Sequence, residues 1–185
     1  SLYMPEVKES LTPTTRCYEQ MLDAAEAQQV QAVKGQSGVT VYEEDGVKLE
    51  LVGPEPQKEY DDLNEYSLVA KLTVGGESFL FTGDSSEQAE ADMIEAGEDL
   101  KADVLKIGHH GSSTATTKAF LQAVNPQVAV ISCGKDNSYG HPHEETMQRL
   151  QEKAMTIYRT DGDGTILATC DGTSIEWQTG LPSIG

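Results

Sequence analysis

At 185 residues the chain is long enough to bury one sizeable core, and a hydrophobic content of 37 % excludes a disordered or fibrous protein. No run approaches the roughly 18–20 apolar residues that a membrane-spanning helix needs. A formal net charge of −18 repels polyanions at long range and counts against efficient nonspecific binding of nucleic acid, unless divalent metal supplies a local offset.

The first ten residues carry Pro5, Glu6, Lys8 and Glu9 and no apolar signal-peptide core. Opening on Ser1 instead of Met, the chain is expected to be a piece or cleavage product of a longer one. Residues 10–29 read as a helix capped by Thr12, with Tyr18, Met21, Leu22 and Ala25 on one face. Two alternating runs, Gly38–Glu43 and Val47–Val52, flank Asp45-Gly46 and predict a hairpin. The acidic stretch Glu59–Glu65 reads as a surface loop, and Ser67–Val74 with Ser78–Phe81 as a second strand pair around Gly75-Gly76.

A helix over about 86–97 follows. The order then becomes strand (103–107), helix (116–124), strand (127–132), helix (143–153) and strand (155–159). Thr165–Cys170 and Ser174–Trp177 close the chain around Asp171-Gly172. Hairpins followed by βαβα units predict a mixed sheet with helices on one face. We expect one domain over 1–185, with its core at about 38–177 and frayed ends at 1–9 and 179–185. Cys17, Cys133 and Cys170 are odd in number and widely spaced, which argues against a disulfide framework or a structural zinc site.

All four histidines, His109, His110, His141 and His143, lie just after predicted strands. Strand ends on one edge of a layered sheet converge, so these rings can share a site. Asp84, at the exit of the strand Phe79–Phe81, either caps the next helix or offers a carboxylate to metal. Val104–Ile107 likewise ends in Gly108, followed by His109-His110-Gly111-Ser112; Ser112 and Ser113 are also possible helix caps. His143 reads as a first-turn helix residue, and His141, beside Tyr139 and Pro142, as a rim position.

Four stretches occur in order: Asn64-Glu65-Tyr66-Ser67-Leu68-Val69, Thr82-Gly83-Asp84, Leu105–Ser112 and Tyr139-Gly140-His141-Pro142-His143. Together they resemble the metallo-β-lactamase-like domain of the ComEC-type competence proteins, from about residue 38 to 177. The resemblance implies an αββα sandwich, of which this chain is mainly the C-terminal half. It also implies two divalent metal ions, zinc or manganese, that activate water against a phosphodiester such as single-stranded DNA. By resemblance, Asp84 and His110 are metal ligands. Asp84, His109, His110 and His141 carry catalysis, and His109, Ser112, Tyr139 and His141 meet the substrate.

The family's earlier ligands come from an HxHxDH motif, and this chain has no histidine before His109. We therefore expect weak or absent metal binding and no turnover by this chain alone. One sheet face is expected to expose Leu68, Leu72, Leu80 and Ile107. Its cover would be the N-terminal half, a second copy, or the helix at 13–29. Two other functions stay open: a phosphorylcholine-esterase-like hydrolase of small phosphoesters, and a non-catalytic binding module.

Overall fold

Short apolar triplets on either side of an amphipathic stretch open the chain. In the computed structural model, which describes residues 1–181, strand β1 (Leu2–Met4) pairs in parallel with β2 (Ala32–Lys34) across helix α1 (Arg16–Ala27). The expectation of a frayed 1–9 is thus corrected, and so is the start of the first helix. Thr15, whose hydroxyl accepts from Tyr18 N–H at 3.3 Å, caps α1 in place of Thr12. Residues 182–185, within the other stretch read as frayed, lie outside the described residues.

Seven strands form one sheet in chain order. They are β3 (Thr40–Glu44), β4 (Val47–Gly53), β5 (Val69–Val74), β6 (Glu77–Phe81), β7 (Val104–Lys106), β8 (Val128–Ile131) and β9 (Thr156–Arg159). Pairing is antiparallel from β3 to β6 and parallel from β6 to β9. The change follows the connections: turns of two or more residues allow reversal, whereas parallel neighbours need crossovers. Three helices supply them: α2 (Glu87–Ala96), α3 (Lys118–Val124) and α4 (Glu144–Glu152).

These helices bury one face of the sheet. Val69, Leu80, Leu105, Ile107, Ala129 and Ile131 from the strands pack with Met93, Phe120, Leu121, Val124 and Leu150 from the helices. Leu80 and Ile107, expected on the open face, are fully buried in this core. Strands buried on both sides read as continuous apolar runs, and such runs do not tell the two faces apart.

On the other face, Leu72, Phe79, Phe81 and Val130 border a gap of about 630 Å³. A separate hairpin, β10 (Thr165–Cys170) and β11 (Ile175–Leu181), lies across it after the four-residue helix α5 (Thr160–Asp163). Trp177 of this hairpin stacks on Tyr158 of β9 with centroids 4.8 Å apart. The element of this chain that meets the open face is therefore β10–β11, and α1 buries none of its residues. The hairpin is also tied at its turn, where Gly76 N–H donates to the Gly172 carbonyl at 2.8 Å. Gly75 has φ +57°, and a Cβ there would stand 2.5 Å from the Gly172 oxygen. Gly75→Ala should cost about 1–3 kcal/mol, read as a lower urea midpoint with an unchanged slope.

Candidate functional site

Strands β6, β7 and β8 run parallel, so the loops after them open on one edge of the sheet. Gly83 turns the chain out of β6 at φ +55°, and its carbonyl accepts from His109 N–H at 3.0 Å. Thr82, fully buried, donates its hydroxyl to the Lys106 carbonyl at 2.9 Å. The two strand exits are thereby joined before either reaches its reactive side chain. Gly108 packs closely: a Cβ would meet the Ser85 carbonyl oxygen at 3.1 Å and the Thr82 hydroxyl at 3.2 Å, tight enough that these neighbours would have to give way.

His109 and His110 both occupy the left-handed region, with φ +47° and +56°. Two successive non-glycine residues there are costly, and such strain gathers at functional sites. His110 Nδ1 lies 2.7 Å from the Ser132 carbonyl oxygen. A carbonyl only accepts, so Nδ1 carries a proton and Nε2 is the nitrogen left to face the site. Nε2 is 3.5 Å from Asp84 Oδ1, with both side chains about half exposed. Asp84 does not cap α2, whose N-cap is Ser86.

An imidazole fixed through its far nitrogen and facing a carboxylate suits metal ligation. Two donors on one ion, at ordinary zinc–ligand lengths and a tetrahedral angle, stand about 3.4 Å apart. The observed spacing fits a shared divalent ion. Among the described residues no group of three or more His, Cys, Asp or Glu side chains is placed to hold a metal. Asp84 and His110 therefore provide two donors and no third.

The remaining histidines divide into two kinds. His141 lies with its ring 5.8 Å from His109 and 6.3 Å from His110, and Tyr139, 77 % exposed, stacks on it at 5.6 Å. Burial, then the neighbouring imidazoles, hold the His141 ring below its ordinary pKa. Asn137 fixes its backbone, donating to the His141 carbonyl at 2.7 Å and accepting from its N–H at 3.0 Å. With His110, Cys133 and Gly134 these residues line a recess of about 230 Å³. His109 Nδ1 is buried and has no hydrogen-bond partner among the described residues.

His143 is the structural one. Its Nδ1 accepts from Ser113 N–H at 3.0 Å, and Nε2 lies 3.2 Å from the Tyr139 carbonyl, so both nitrogens are engaged. Ser112 is 5 % exposed, its hydroxyl 2.9 Å from that of Thr114. The structure thus brings Asp84, His109, His110, His141 and Tyr139 together, whereas Ser112 is buried with its hydroxyl turned to Thr114. Neither Ser112 nor Ser113 caps the next helix; Thr117 does.

Sequence reasoning missed Lys106. The residue borders the open-face gap, and its ammonium donates to the Ile107 carbonyl at 2.8 Å. Burial pushes its pKa down, against the pull of Asp84. No spacing signal marks it, because it lies inside an apolar strand.

Residues 5–135 match the family model described as the metallo-beta-lactamase superfamily. The chain is 44 % identical over 103 residues to ComE operon protein 3 of Bacillus subtilis, covering 56 % of this chain and 13 % of that one. Competence protein ComA of Neisseria gonorrhoeae is 38 % identical over 123 residues, covering 66 % and 18 %. Recombination protein 2 of Haemophilus influenzae is 38 % identical over 103 residues, covering 56 % and 13 %. The chain spans less than a fifth of the length of these relatives. Among solved structures, a CmlA beta-hydroxylase mutant superposes with a TM-score of 0.51 at 12 % identity, over 85 % of this chain and 37 % of that one. This likeness shows the fold alone.

Proposed function

This chain belongs to the metallo-β-lactamase superfamily, and from that premise we propose that it carries the later half of a metal-dependent phosphodiesterase centre. The observation that carries the reading is the His110–Asp84 pair, 3.5 Å apart, with the far nitrogen of His110 fixed by the Ser132 carbonyl. Zinc or manganese bound there would polarise a phosphodiester and activate water. Asp84 offers a carboxylate and His110 its Nε2. His109 and His141 form the wall that would hold the phosphoryl oxygens, and Tyr139 presents an open ring to the rest of the substrate.

The other ligands come, on this reading, from polypeptide outside the chain. A second copy would bring only the same two donors, and a charge of −18 on each copy opposes self-association. An N-terminal half of a sandwich also gives the open sheet face its cover. The names of the relatives, competence and recombination proteins, favour DNA as substrate, single-stranded where a strand must enter a recess. Tyr139 stacked on His141 would equally suit a choline phosphoester through cation–π contact.

The test is hydrolysis by the complete protein, with manganese or zinc, of a generic phosphodiester, single-stranded DNA and a choline phosphoester. Turnover that a chelator abolishes and the metal restores is expected, with DNA preferred. The 185-residue chain alone should be inactive. Absence of turnover by the complete protein under every combination would sink the catalytic reading in favour of a binding module.

A further inference from the structure

The turn at Leu63–Tyr66 belongs to none of the reactive groups, yet it buries a carboxylate. Glu65 is 7 % exposed. A single oxygen, Oε2, accepts from Ser86 N–H at 3.1 Å and from Ala89 N–H at 2.9 Å. These donors open α2, whose own N-cap residue, Ser86, makes no side-chain capping bond. The helix is capped from a distant turn.

Two residues on, the Ser67 hydroxyl oxygen accepts from Asp84 N–H at 3.1 Å. Its Cβ also lies 3.0 Å from where a Cβ on Gly83 would stand. The short segment between β6 and α2 is thus held at both ends by one turn. Ser67 grips Asp84 itself, and Glu65 grips the residues that follow it. Other bonds tie the segment's flanks to neighbouring elements, His109 N–H to the Gly83 carbonyl and Glu87 N–H to the Thr114 carbonyl, each at 3.0 Å, but the bond from Ser67 is the one that falls on the Asp84 amide.

We propose that Glu65 and Ser67 are positioning residues for Asp84, setting its carboxylate against the fixed Nε2 of His110. The inference rests on the metal reading above. Glu65 acts here as a hydrogen-bond acceptor, not as a charge. Since one oxygen takes both N–H groups, the amide oxygen of glutamine can take both as well, and alanine can take neither.

The experiment uses the 185-residue chain and manganese alone, at 25 °C where circular dichroism shows each variant folded. NMR follows paramagnetic broadening of the His110 ring signals, which registers even the weak binding that two donors give. No broadening in the wild-type chain overturns the metal reading and this inference with it. Glu65→Ala and Ser67→Ala should weaken the manganese response about tenfold, the size of effect known for outer-shell partners of metal sites. Glu65→Gln should stay within about twofold of wild type, a rescue that only an acceptor role gives. Hydrogen exchange should quicken at Asp84 N–H in Ser67→Ala and at Ser86 and Ala89 in Glu65→Ala.

Asp84→Ala separates the two ideas. If it removes the response while Glu65→Ala and Ser67→Ala leave it intact, the positioning role is overturned and the metal reading stands. If Asp84→Ala changes nothing, the metal reading fails and takes this inference with it. A Glu65→Gln as weak as Glu65→Ala overturns the acceptor role. Should Glu65→Ala not fold, Ser67→Ala decides, since it removes one hydroxyl from a partly exposed position.

Discussion

Glu90→Ala should destabilise the chain by about 2–4 kcal/mol, seen as a lower urea midpoint at constant slope. Glu90 is 1 % exposed, and its two oxygens are used separately. Oε1 accepts from Thr116 N–H at 2.5 Å and Oε2 from Thr117 N–H at 2.8 Å. Truncation leaves two buried donors without partners at the start of α3. Arg149 of α4 holds the same loop by its carbonyls, donating to Thr116 O at 3.0 Å and Ser113 O at 2.9 Å. The segment after the paired histidines is therefore gripped by a carboxylate on one side and a guanidinium on the other. Glu90→Gln should lie between alanine and wild type, because one amide oxygen replaces two acceptors. At Glu65, by contrast, one oxygen takes both donors and glutamine replaces it fully.

Glu90 also predicts a pH dependence. Burial raises its carboxyl pKa, outweighing the hydrogen bonds from Thr116 and Thr117 and the charge of Arg149. The folded value thus exceeds the unfolded value of about 4.3, and the folded state holds the proton more tightly. Its contribution is complete below about pH 4.3 and is lost as pH rises through the folded value. Compared with Glu90→Gln, wild type should lose stability as pH rises from about 4. A difference that stays flat over this range would refute it.

His110→Ala and Asp84→Ala should each lower phosphodiester turnover by the complete protein about a thousandfold. That corresponds to about 4 kcal/mol of transition-state stabilisation, within what a bound metal supplies. His143→Ala makes the contrast. It removes the tether between Ser113 and Tyr139, so it should lower thermal stability more than turnover of the folded fraction. Comparable losses at His143 and His110 would show that the His110–Asp84 pair has no special place in the chemistry.

The helices and strands of the βα units were legible because glycine and apolar periodicity agree there, even though the caps fall on Ser86 and Thr117 and not on Asp84, Ser112 or Ser113. The edge at which Asp84, His109, His110 and His141 meet was legible for the same reason: each follows a strand. What was not legible depends on distant partners. Glu65 sits in an acidic run that reads as solvated loop, and only Ser86 and Ala89, about twenty residues on, explain its burial. β1 and β2 are three residues each and, among the described residues, pair only with one another, so no periodicity announces them. Leu80 and Ile107 were given the wrong face because their strands do not alternate. Thr12 and Thr15 are equally good caps by type, and the structure uses the second.

The left-handed backbone at His109 and His110 bears on how such a protein can change. Glycine would relax His109, gaining about 0.5–1 kcal/mol after its own entropy cost is counted, whereas at His110 loss of the bond to the Ser132 carbonyl offsets a gain of that size. Laboratory selection for heat resistance alone would therefore drift toward glycine at position 109 and discard that imidazole. Recovering it demands selection on chemistry itself, so durability and activity pull this loop in opposite directions.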